Sequence, residues 1–142
     1  MAADRQQALR IIVAALSAGQ LAFLAVVLVI QRSVAPPEGF DLTTLPFVAV
    51  IVLIGAVTAS FQVGRSLVAT AARRSDELAK WTAYQTAVIV RLAILEGASF
   101  LTIVFYLLSG EWLFLVLFVA SFGAFLFQRP KDEEWEGVRS GS

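Results

Sequence analysis

The sequence predicts an all-α, polytopic membrane protein in which four transmembrane helices form two antiparallel hairpins within a single domain, residues 1–142. Three observations predict it. The 142-residue chain is 58% hydrophobic and only 15% charged, whereas a soluble domain needs a polar shell. Its charges cluster between apolar runs, at about residues 11–30, 45–63, 83–108 and 112–127, and are not spread along helix faces. At 1.5 Å per helical residue, runs of this kind reach across a hydrocarbon layer of about 30 Å.

The first run, Ile11 to Ile30, is interrupted only by Ser17 and Gln20. Ser33-Val34-Ala35 after it resembles a small-residue cleavage site. The apolar core nevertheless exceeds the roughly 7–15 residues of a signal-peptide core, so it reads as a retained helix. Pro36, Pro37 and Gly39 then mark a loop between Gln31 and Thr44. Pro46 suits the first turn of the second helix, where a missing N–H costs little. Gly55, Ala56, Ala59, Ser60 and Gly64 give that helix small residues at the four-residue spacing that permits close backbone approach.

Arg65 to Trp81 is polar and Ala-rich, and reads as a helical continuation that turns near Ser75. The third helix follows, and Ser109-Gly110-Glu111 ends it in a tight turn with glycine at the C′ position. The fourth run is the shortest; Trp112 suits an interfacial belt, and Phe114, Phe118, Phe122 and Phe125 form a one-sided stripe that reads as core or lipid-facing surface. After Arg129-Pro130-Lys131, the acidic residues Asp132, Glu133, Glu134 and Glu136 read as a solvated, flexible tail over 132–142.

Lysine and arginine placement gives the orientation. Arg5, Arg10, Arg65, Arg73, Arg74, Lys80, Arg129, Lys131 and Arg139 fall on one side, and the two opposite loops hold only Arg32. By the positive-inside rule both termini are cytoplasmic.

Chemistry concentrates in the third helix, where Arg91 and Glu96 interrupt the apolar run. Each costs roughly 3 kcal/mol near a bilayer centre, so each is expected to face protein or water. Five positions apart, they point about 140° from one another and form no intrahelical pair. Glu96 shares a face with Gln85, Ala93 and Ser99, and is a candidate proton or cation site; its plain alternative is a protonated or paired carboxyl that ties helices together. Arg91 shares another face with Tyr84, Ala98 and Thr102. Its charge is expected either to meet Glu96 of a neighbouring subunit or to snorkel to the cytoplasmic interface. Gly19 with Ala15 and Ala22, Gly97 with Ala93, and Gly55 with Ala59 suggest helix-packing contacts.

With no Cys and no His, thiolate chemistry, Cys/His zinc sites and histidine catalysis are excluded, and no credible catalytic set remains. No metal or cofactor is expected. The net charge of zero gives no reason to expect nucleic acid. Expected partners are the lipid bilayer and either further copies of the chain or other membrane subunits.

The segments Tyr84 to Arg91, Glu96-Gly97-Ala98, Tyr106 to Gly110 and Arg129-Pro130 resemble those of small uncharacterised bacterial inner-membrane proteins. These have four predicted spans and an Arg-x4-Glu-Gly pattern in the third. The likeness covers mainly Lys80 to Lys131 and implies a bacterial inner-membrane location, without an established activity. The single intramembrane carboxylate also resembles that of rotary-ATPase proteolipid subunits. Laying Leu16–Val29 over Ile94–Leu107 pairs Gly19 with Gly97 and Ala18 with Glu96. The chain departs from proteolipids in carrying its acid on the first helix of its hairpin and in lacking their repeated glycine motif.

The leading expectation is a non-enzymatic, oligomeric membrane protein whose Glu96 takes part in proton or cation movement. The alternatives are an accessory subunit of a membrane complex and a small-molecule carrier, although small multidrug carriers place their glutamate in the first helix.

Overall fold

A computed structural model describes residues 2–33 and 43–141, with side chains from Gln6 onward. The Pro36-Pro37-Gly39 loop lies outside the described residues. The elements are α1 (Ala2–Gln31), α2 (Leu45–Ala72), α3 (Glu77–Ser109), α4 (Trp112–Phe127) and α5 (Asp132–Ser140). Among the described residues there is no strand.

Local chemistry sets the helix ends. Pro46 occupies the first turn of α2. The Asp76 carboxylate caps α3 by accepting from Ala79 N–H at 3.0 Å. At the other end of α3, Gly110 takes the left-handed conformation at φ 71°, and its N–H donates to the Tyr106 carbonyl at 2.8 Å. That conformation is strained for any residue with a Cβ.

α3 is the central element and packs against all four others. α2 lies against α3, α4 and α5. Among the described residues α1 makes its backbone-level contacts with α3 alone, and no α1–α2 contact of the expected hairpin is present. The reason is the α1 face that carries Phe23, Val27 and Gln31. Phe23 meets Phe100 edge-on at 5.2 Å between centroids, and Val27 joins Ile103 and Phe118 in one core cluster. With its amide turned to satisfy both neighbours, Gln31 donates to the Leu107 carbonyl at 2.6 Å.

A second and larger core cluster lies at the other end of the bundle, around Leu9, Trp81, Tyr84, Leu92, Phe125 and Trp135. The residues expected to form a flexible tail belong to it. Asp132–Ser140 is a helix whose Trp135 and Val138 are buried. Trp135 stands perpendicular to Trp81 at 4.8 Å and lies 5.5 Å from Tyr84. Three acids in the first turn of α5 and Arg139 in the last complement the helix dipole, and burial of the indole supplies the tertiary contact that so short a helix requires.

The outer surface is apolar. Phe47, Ile51, Ile54, Trp112, Val119 and Phe127 are among many large side chains left exposed. Three helices, α1 from Gln6, α2 and α3, are long and apolar enough to cross a membrane. The count becomes four if α4 and α5, bent by 46° at their junction, form one span. The aromatic stripe of α4 is mainly core: Phe114, Phe118 and Phe125 are buried.

Candidate functional site

Arg91 and Glu96 sit on the same rigid helix and meet different fates. Arg91 is 8% exposed, and its guanidinium makes a two-pronged pair with Glu134 of α5. Nη1 donates to Oε1 at 2.6 Å and Nη2 to Oε2 at 2.7 Å. Tyr84, two turns earlier on α3, donates its hydroxyl to the same Oε2 at 3.1 Å. Parallel N–H donors matched to a carboxylate make this the strongest type of side-chain ion pair. Within the chain the partner of Arg91 is a carboxylate 43 residues further on.

Close approach makes this clamp possible. The Arg91 stem runs over Gly64 of α2, where a Cβ would lie 3.1 Å from Arg91 Cδ. Gly64 is thus a packing glycine of the bundle. Gly19, Gly55 and Gly97 are exposed, and a Cβ there would meet nothing within 4 Å. Among the described residues the contacts expected at those three glycines do not occur. Ala59 is half-buried.

Glu96 is half-buried, and no hydrogen bond or ion pair reaches it among the described residues. The group expected around it separates. Ser99 faces α4 and donates to Ser121 Oγ at 2.9 Å, while Ser121 donates to the Phe118 carbonyl at 2.9 Å. Gln85 lies eleven residues back, about 16 Å along the helix. Thr102, expected on the Arg91 face, is buried and donates to the Ser99 carbonyl at 2.7 Å. Ala93 and Gly97 flank Glu96 on the exposed side of α3.

One further polar group stands near this level. Gln20 of α1 is fully buried, and neither atom of its amide has a partner. α1 and α3 run in the same direction, and the Phe23–Phe100 contact sets Gln20 level with Glu96 and Gly97. Lower on the bundle, Gln128 donates to Ser60 Oγ at 2.8 Å and joins α4 to α2.

Arg91 and Tyr84 meet on Glu134, a residue that the acidic run of the sequence does not single out. Asp132 is engaged too, accepting from Arg10 Nη2 at 2.8 Å in an exposed pair. Among the described residues no group of three or more acids could hold a metal ion. No family model, no curated protein and no solved structure matches this chain.

Proposed function

We propose that the chain is a non-enzymatic integral membrane protein of four spans. Its Lys/Arg-rich ends face the cytoplasm of a bacterium, and it assembles with copies of itself or with other membrane subunits. Glu96 is the protonatable carboxylate through which it takes part in proton or cation movement.

The observation that carries this reading is the isolation of Glu96. Arg10 of α1, Arg65 of α2, Arg91 in the middle of α3 and Arg129 two residues beyond α4 mark one level. Counting rises to Gln31, Leu45, Ser109 and Trp112 at the opposite ends gives about 26–32 Å on every helix, the thickness of a hydrocarbon layer. Contacts support a common level. Arg65, Arg91 and Arg129 line one cleft, and Arg10 and Arg129 line the next. Between that level and the far ends, Glu96 is the sole charged residue of the four helices, about 7 Å deeper than Arg91. A carboxylate held there with no cation from its own chain is expensive unless it is protonated, binds an ion or meets another subunit. Exposed Ala93 and Gly97 beside it leave room for a close neighbouring helix.

The latched helix α5 favours a second reading, an accessory subunit whose cytoplasmic cap docks a partner. The two separate in proteoliposomes carrying an internal pH dye, with an imposed potassium diffusion potential and sodium-containing and sodium-free arms. A transport role predicts that Glu96→Gln assembles as the wild type does and loses at least tenfold of the proton or cation flux. Unchanged flux with disturbed assembly supports the accessory role instead.

A further inference from the structure

We infer that the cleft between α2, the end of α4 and α5 binds the phosphate headgroup of an anionic phospholipid. The cleft has a volume of about 590 Å³, within the range of about 300–1,000 Å³ typical of small-molecule sites. Its polar wall carries Arg65, Arg91, Arg129 and Lys131 against Glu133 and Glu134. Arg91 and Glu134 neutralise one another, since both oxygens of Glu134 accept from Arg91, which leaves Arg65, Arg129 and Lys131 facing Glu133. Glu133 is exposed, and its charge opposes an anion at the rim.

The cations are available. Among the described residues Arg65 and Arg129 have no ion pair, and Lys131 has only the Phe127 ring, 4.9 Å from its Nζ. Arg91 is more than nine-tenths buried, and its Nε–H has no hydrogen-bond partner. Exposed cationic side chains that line one cleft without an acid partner are suited to an oxyanion.

The other wall distinguishes a lipid from a free anion. Phe61 and Phe127 are exposed on the outer surface and continue the cleft into the apolar face of the bundle. A headgroup phosphate at the arginines would leave its acyl chains along that face, at the cytoplasmic boundary where basic pockets meet anionic lipid.

The inference rests on the bilayer placement proposed above and not on Glu96. It is tested by native mass spectrometry of the full chain, purified in detergent with equal phosphatidylglycerol and phosphatidylcholine. The wild type should retain phosphatidylglycerol with about a tenfold preference. R65Q/R129Q, altered at two exposed positions, should lose most of it, whereas R65K/R129K and the control R73Q/R74Q should keep it. Equal retention of both lipids, or equal loss in R73Q/R74Q, would overturn the site. Displacement of phosphatidylglycerol by millimolar inorganic phosphate would overturn the lipid assignment. A chain that stays monodisperse without detergent would contradict the bilayer placement itself, so the two failures are distinguishable.

Discussion

Arg91 shows how a charge on a largely apolar helix is made tolerable. Its guanidinium finds a geometrically matched carboxylate in Glu134, which is itself 28% exposed, and Tyr84 supplies a further donor to that carboxylate. Removing one partner leaves the other charge buried and unpaired, which costs far more than the pair contributes over neutral groups. Glu134→Gln should therefore destabilise the docked α5 by about 3 kcal/mol, read as faster amide hydrogen exchange across α5. Tyr84→Phe should cost about 1.5 kcal/mol in the same measurement, the worth of a hydrogen bond to a charged acceptor. Gly64→Ala presses a methyl against a stem that the ion pair holds in place, and should cost about 1–3 kcal/mol. Asp132→Asn removes the exposed pair with Arg10 and one of three first-turn charges, and should change stability by less than about 1 kcal/mol. If Asp132→Asn loosened α5 as much as Glu134→Gln, the clamp would not be what holds it.

At the scale of elements, α5 closes the charged end of the bundle. Trp135 packs against Trp81 and Tyr84, and Lys80 Nζ donates to the Arg139 carbonyl at 2.9 Å. Trp135→Ala should free α5, since truncating a buried tryptophan costs about 3–5 kcal/mol. The expected readout is tryptic cleavage after Lys131 at least tenfold faster than in the wild type; equal rates would mean that the helix is held some other way. The long helices were legible in the sequence because their signals are local: apolar runs, Pro46 at one start, Asp76 at another and Gly110 at an end. α5 was not. Nine residues in which only Trp135, Gly137 and Val138 interrupt the polar ones carry too weak a periodicity, and the helix depends on α3 for stability. The acids of its first turn and Arg139 of its last were the signal available. The Arg91–Glu134 pair spans 43 residues, and nothing in the spacing announces it. The glycines misled for a related reason. Small-residue spacing marks where a helix can be approached, and only packing decides that Gly64 is approached while Gly19, Gly55 and Gly97 are not.

At the scale of the molecule, two regions of different character meet at the arginine level. On one side lies a polar cap built from the start of α1, the ends of α2 and α3 that face each other, and α5. On the other lies an apolar bundle whose outer residues are exposed and whose interior is joined by apolar contacts, as at Val27, Ile103 and Phe118, and by the Ser99–Ser121 hydroxyl pair. Arg91 belongs to the boundary, and Glu96 lies within the apolar region. The distinction separates a charge that holds the fold from one that the fold leaves unpaired. The most direct measurement of that difference is the reaction of Glu96 with a membrane-permeant carbodiimide, followed by mass spectrometry over a pH series in the native detergent assembly. A working proton or cation site predicts slow labelling that rises as pH falls and is suppressed by a particular cation. Complete inertness in the assembly, with labelling only after dissociation, would make Glu96 a sealed structural acid and contradict the proposed role.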